Sequence, residues 1–141
     1  MTHIMIVEAP YYEDIGESLA KGAIAALEGA GATYERFTVP GALEIPAAIA
    51  IGADSGKFDG FIALGCVIRG ETSHYDIVAG ESARAIMDLT ISDGLAIGNA
   101  ILTCDKREQA IVRADPAQKN KGKDAADAAI ALIELRKTFA A

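Results

Sequence analysis

Apolar positions change their spacing several times along the chain, and each change marks an element. Ile4 to Val7 is a short apolar run that predicts a first strand. Ile15, Leu19, Ala23, Ala26 and Leu27 then recur at helical spacing, and Gly29 and Gly31 supply the stop. Thr33 to Val39 is rich in β-branched and aromatic residues, predicts a second strand, and is punctuated by Pro40-Gly41. Leu43 to Ile51 reads as a short, strongly apolar helix. Phe61 to Ile68 is almost continuously apolar, as a strand buried on both faces is. A polar loop, Arg69 to Ser73, leads into a helix from about His74 to Asp93. Leu95 to Cys104 predicts a fourth strand, followed by a helix near Glu108 to Arg113 that Pro116 breaks. A last helix, about Lys123 to Lys137, carries Ala126, Ala129, Ile130 and Ile133 on one face.

Strands alternating with helices in this way predict an α/β fold. The expectation is a single domain over residues 1–141, a three-layer sandwich in which helices flank a four-stranded parallel sheet. Right-handed crossovers put the C-terminal ends of all strands on one edge, and open sheets bind ligands just outside that edge. The loops that matter are then Glu8–Glu13, Val39–Glu44, Cys66–His74 and Thr103–Asp105.

Composition narrows the function. A formal charge of −7 on 141 residues argues against a general nucleic-acid binder. No apolar stretch approaches the length of a membrane span, and the first eight residues lack the features of a signal peptide. The two cysteines, Cys66 and Cys104, lie in apolar runs without a CxxC partner, which favours a reducing cytoplasm over a disulfide framework. With two histidines and no ligand cluster, no protein-built metal site is expected. Lys106 to Lys137 holds eight basic residues against five acidic ones, in a chain with 13 basic and 20 acidic residues. That segment reads either as solvated helix faces or as a surface that meets an anion or an acidic neighbouring subunit.

Standard nucleotide and hydrolase fingerprints are absent. The first strand runs into Ala9-Pro10-Tyr11-Tyr12 without GxGxxG, Gly52 to Lys57 is one residue short of a P-loop, and there is no GxSxG. The informative stretch is Gly65-Cys66-Val67-Ile68-Arg69-Gly70-Glu71-Thr72-Ser73-His74-Tyr75-Asp76. A buried strand turns into a helix there, and Ser73 with Asp76 three residues on resembles a capping box. Backbone N–H groups at such a turn suit a phosphate or another oxyanion, with Gly70 allowing close approach. His74 in the first helical turn is placed to exchange a proton, or else simply points into solvent. Glu44 is a lone acid among apolar neighbours and needs a partner, from a ligand or from a helix N-terminal amide. Tyr11 and Tyr12 either stack on a flat heterocycle or cover the core edge. Arg113 suits bidentate phosphate binding, with surface ion pairing as its ordinary role, and Lys121 shares that choice. Cys66 reads as a small buried hydrophobe rather than a nucleophile.

The segments PGALEIPAA, GCVIRGETSHYDIV, AIGNAILT and NKGKDAA, in this order over essentially the whole chain, resemble those of the lumazine synthase family. The resemblance implies condensation of 5-amino-6-(D-ribitylamino)uracil with 3,4-dihydroxy-2-butanone 4-phosphate, the penultimate step of riboflavin biosynthesis, with no metal or organic cofactor. Carried onto this sequence, it makes His74 the proton-transfer residue. Glu71 and Thr72 would cradle the phosphate, and Arg113 would neutralise it. Tyr11 falls where the family stacks an aromatic on the pyrimidine. Ala42, Leu43 and Glu44 would line the ribityl side, and Cys66, Val67 and Ile68 would read the uracil through main-chain groups. Asn99 aligns with a residue that closes over the ring from the neighbouring subunit, and Lys121 with a lysine near the ribityl chain.

The same resemblance implies a homo-oligomer with active sites between subunits. Pro10 stands where many members have Arg, so retained stacking in a locally altered loop is expected. The Asp115–Lys119 connection lacks the glycine-containing turn of capsid-forming members, and the chain starts almost at its first strand. The expected assembly is therefore a homopentamer in the cytoplasm. A non-catalytic flavin- or lumazine-binding module on the same scaffold is the alternative, and His74 together with Arg113 separates the two.

Overall fold

Four strands and five helices alternate in the computed structural model, which describes residues 1–140. The order is β1 (His3–Glu8), α1 (Glu13–Gly29), β2 (Thr33–Thr38), a single 3₁₀ turn (Ala42–Glu44), α2 (Ile45–Asp54), β3 (Gly60–Ile68), α3 (His74–Ser92), β4 (Ile97–Cys104), α4 (Arg107–Ala114) and α5 (Lys121–Phe139). The strands form one sheet in the order β2-β1-β3-β4, every neighbouring pair parallel. The chain leaves β1 toward β2 on one side and returns to β3 on the other. The gap above β1 and β3 is therefore the switch point where such sheets hold ligands.

Each sheet face is buried under its own helical layer. Ile4, Ile6, Ile62 and Leu64 point toward Ile15, Leu19, Ala23 and Leu27 of α1 and Ala126, Ala129 and Ile133 of α5. Met5, Val7, Phe61, Ala63 and Ile97 point the other way, onto Ile45 and Ile49 of α2 and Ile86 of α3. This double burial explains the unbroken apolar run of β3.

The layer of α1 and α5 is closed by backbone contact. A Cβ on Gly122 would collide with the carbonyl of Leu19, and one on Gly98 with that of Ala125. Helix α1 ends as its glycines predict. Gly31 adopts φ 74°, Ala32 N–H donates to the Leu27 carbonyl at 3.0 Å, and Gly31 N–H donates to that of Glu28 at 3.1 Å. This pairing is a Schellman motif.

Three expectations need correction. β4 begins at Ile97 rather than Leu95, because Gly94 at φ 66° turns the chain out of α3 first. α5 begins at Lys121 rather than Lys123. Asn120, at φ 48°, forms its left-handed start, and its carbonyl accepts from Lys123 N–H at 3.1 Å. Ser73 precedes α3 but makes no side-chain cap. The hydroxyl of Thr72 takes that place, accepting from His74 N–H at 3.3 Å.

Candidate active site

β3 outlasts β1. Its last β1 partner is Leu64, which faces Glu8 and accepts from Ala9 N–H at 2.9 Å, yet the strand runs on to Ile68. Peptide groups on β3 alternate sides: Arg69 N–H turns toward β4 and donates to Cys104 at 2.9 Å. The N–H and C=O groups of Cys66 and Ile68 therefore point to the side where β1 has ended, and no strand pairs with them there. Main-chain donors and acceptors left open at a sheet edge suit a planar heterocycle.

A cavity of about 430 Å³ lies above that opening, lined by Tyr11, Tyr12, Gly41 to Glu44, Cys66 to Ile68, His74 and Val78. Eight predicted site residues meet in it: Tyr11, Ala42, Leu43, Glu44, Cys66, Val67, Ile68 and His74. Tyr11 is 76% exposed and meets Tyr12 edge-on, with ring centroids 4.9 Å apart. The Tyr12 hydroxyl is held above its ordinary value, first by burial. Sequence reasoning left Gly41 and Val78 out of the site. Gly41 leaves room for the Glu44 carboxylate, since a Cβ there would lie 3.2 Å from Oε1. Its place in Pro40-Gly41 was the available signal.

Glu44 corrects its reading. Its apolar sequence neighbours Ile45 and Pro46 are buried, but the 3₁₀ turn swings Glu44 itself outward, and it is exposed. It therefore needs no partner from the chain. Burial pushes the Cys66 thiol up to about 12, with Cys104 adding to the shift. At that value Cys66 is a wall of the cavity and not a nucleophile. His74 stands at the first position of α3, and its ring has no hydrogen-bond partner among the described residues.

Glu71 and Thr72 occupy the exposed turn directly before His74 without lining the cavity. Asn99, Arg113 and Lys121 also lie outside it. Asn99 is exposed on the edge strand β4, its side-chain oxygen accepting from Ile101 N–H at 2.8 Å. Arg113 is half-buried on α4 and donates through Nη1 to its own helix at Gln109 O, 3.1 Å away. Lys121 pairs with Asp124 at 3.3 Å. Among the described residues there is no cluster of metal-ligating side chains, and no helix is long and apolar enough to cross a membrane.

Fold and site together define an open-sheet α/β protein with a small-molecule cavity at its switch point. Residues 1–137 match the 6,7-dimethyl-8-ribityllumazine synthase family. The chain is 58% identical to the 6,7-dimethyl-8-ribityllumazine synthase of Erythrobacter litoralis over 141 residues, covering 100% of both chains. It is 55% identical to that of Sphingopyxis alaskensis over 139 residues, which are 99% of this chain and 98% of the other. The enzyme of the same name from Zymomonas mobilis is 58% identical over 137 residues, covering 97% and 98%. The chain belongs to the 6,7-dimethyl-8-ribityllumazine synthase family.

Proposed function

We propose that this protein condenses 5-amino-6-(D-ribitylamino)uracil with 3,4-dihydroxy-2-butanone 4-phosphate. The product is 6,7-dimethyl-8-ribityllumazine, formed with loss of inorganic phosphate and water in the penultimate step of riboflavin biosynthesis. The observation that carries this reading is the cavity over β1 and β3, lined by open main-chain groups of β3 and by an imidazole without a hydrogen-bond partner among the described residues.

The chemistry asks little of the protein beyond placement. The substrate's 5-amino group attacks the ketone and water leaves, giving an imine. A proton is then lost from the adjacent carbon as phosphate departs. The resulting enol returns to a ketone, which the ribitylamino nitrogen attacks to close the ring with loss of a second water. No protein nucleophile is required, in keeping with the suppressed thiol of Cys66. Holding two reactants in register and moving protons supply the acceleration.

In this reading Tyr11 stacks on the pyrimidine and Ala42, Leu43 and Glu44 line the ribityl side. Cys66, Val67 and Ile68 bind the uracil edge through the main chain, and His74 shuttles protons. Glu71 and Thr72 take the phosphate at the start of α3, where free N–H groups and the positive helix end favour an anion. Asn99, Arg113 and Lys121 come from a neighbouring copy, which makes a homo-oligomer, a pentamer in our reading, necessary for activity. Their position outside the cavity of their own chain supports that assignment. A cytoplasmic location follows from the same pathway.

The test is absorbance of the lumazine product when purified protein meets both substrates, with each omitted in turn. Formation faster than the uncatalysed condensation is expected. Tight binding of a ribityl heterocycle without acceleration would replace the enzyme reading with a binding module.

A further inference from the structure

Among the described residues, Arg69 is the one charged residue between the end of β3 and the start of α3 whose side chain makes hydrogen bonds within the chain. Its Nε donates to Asp105 Oδ1 at 3.0 Å, and its Nη1 donates to Asp76 Oδ1 at 3.3 Å. Its guanidinium carbon sits 4.2 Å from the centroid of the Tyr75 ring. The backbone is tied as well, through Arg69 N–H to Cys104 O at 2.9 Å. One side chain thus joins three places: the end of β3, the first turn of α3, and the segment after β4 that leads into α4.

The turn between these anchors has little to hold it. Gly70, Glu71, Thr72 and Ser73 are all exposed, and Ser73 makes no cap. Among their side chains, the bond from His74 N–H to Thr72 Oγ1 is the one internal contact among the described residues. The shape of the turn is therefore dictated by where its two ends are pinned, and Arg69 pins both: it is the residue before the turn, and through Asp76 it grips the helix after it. Asp76, which spacing alone would assign to a capping box with Ser73, is diverted to this clamp.

We infer that Arg69 is a positioning residue that sets the geometry of the Gly70–His74 turn for the phosphate-bearing substrate. The inference rests on the reading of that turn as the phosphate subsite. Arg69 does not itself bind the phosphate. Two carboxylates already surround its single charge, so its neighbourhood has a net negative balance, and the aromatic ring occupies one face of the fork. A planar five-donor group is needed for this joint, because an ammonium can neither reach both carboxylates in one plane nor stack on Tyr75 in the same way.

The experiment measures KM for each substrate and kcat in Arg69→Met, Arg69→Lys, Asp105→Asn and, as a control on the turn itself, Thr72→Pro, which removes an N–H and the hydroxyl. Displacement of a binding turn by an ångström is costly, so Arg69→Met is expected to raise KM for the butanone phosphate about 10-fold and that for the pyrimidine less than about 2-fold. Arg69→Lys should recover little of the loss, and Asp105→Asn should shift the same constant in the same direction by about 3-fold. Asp105 is largely exposed, so its variant carries the comparison even if Arg69→Met fails to fold. Tighter phosphate-substrate binding in Asp105→Asn, with full activity in Arg69→Lys, would make Arg69 a direct anion ligand and overturn the inference. Equal shifts in both KM values, or none, would overturn it too. If Thr72→Pro raises the phosphate-substrate KM while the Arg69 variants do not, the turn remains the subsite and the clamp alone fails. If Thr72→Pro also has no effect, the reading of the turn falls, and the inference with it.

Discussion

His3 and His74 stand at opposite rims of one parallel sheet, and their surroundings are opposite as well. At the N-terminal rim, the His3 ring is hydrogen-bonded with Thr33 Oγ1 at 2.6 Å and with Glu35 Oε2 at 2.7 Å, and it stacks on Phe58 at 5.3 Å. Lys57 joins Glu35 at 2.8 Å, and His3 N–H donates to Asp59 at 2.8 Å. Both ring nitrogens of His3 are thus answered within the chain. At the C-terminal rim, the His74 ring has no such partner among the described residues, Tyr11 is largely exposed, and strand β3 leaves main-chain groups unpaired. A polar group closed upon its own chain, as at His3 or at Arg69, holds the fold, whereas one left open at a switch point is available to a ligand.

Substitutions at the two rims test that division. The largest effect is expected at Arg113, which spends one donor on its own helix and has no other hydrogen bond from its side chain among the described residues. With Arg113 on the phosphate as proposed, Arg113→Ala should lower kcat/KM for the butanone phosphate about 100-fold and change pyrimidine affinity less than about 3-fold, because a bidentate cation would act on the phosphate alone. Equal loss for both substrates would overturn that proposal. Next comes the histidine pair itself. His74→Ala should reduce kcat by about 10- to 100-fold without abolishing turnover, since placement of the reactants remains. His3→Ala should leave kcat within about 2-fold and cost about 1 kcal/mol of stability in urea unfolding. An exchange of these outcomes would break the comparison. A smaller effect is expected from Cys66→Ala, with turnover within about 3-fold of the native protein, because the thiol acts as a wall. In the native protein, iodoacetamide at pH 8 should modify Cys66 far more slowly than a free thiol, by mass spectrometry.

The smallest effect concerns pH. Hydrogen bonds from His3, then from Lys57, hold the Glu35 carboxyl below its ordinary value. A carboxyl depressed in the folded state stabilises the fold above its unfolded value, and that contribution is lost as pH falls through the folded one. The melting temperatures of native protein and Glu35→Gln should therefore differ near neutral pH and converge as pH falls through the depressed value of this carboxyl. A constant gap would show that the rim does not depend on this charge.

Much of the fold was legible because its signals are local. The apolar run at Phe61–Ile68, the helical spacing from Ile15 to Leu27 and the stop at Gly31 each report a constraint satisfied within a few residues. Parallel order followed from alternation. The cavity that forms the candidate site was legible where its lining coincides with strand ends, at Cys66–Ile68 and His74, and at the loop residue Tyr11. It was misread where a side chain had two possible partners. Asp76 fits a capping box by spacing, but Arg69 reaches it through space. Glu44 inherits apolar neighbours along the chain, whereas one 3₁₀ turn places it in the open. Asn99, Arg113 and Lys121 illustrate a different kind of limit. The family resemblance proposes them for a site, whereas the fold of one chain places all three outside the cavity.

The contact between Gly122 and the Leu19 carbonyl, and that between Gly98 and Ala125, also bear on the order in which the protein can be made. The helix that covers Ile4, Ile62 and Ala100 on one sheet face is synthesised after every strand it covers. Until residues 121–139 emerge, a nascent chain can pair its strands and seat α2 and α3 but must leave the opposite face wet beside α1. Covering that face is then a docking event that follows all four strands, in which glycines at the seam let backbone approach backbone closely. A messenger truncated before that helix would release a chain with a sheet face uncovered, a natural target for chaperones and proteases.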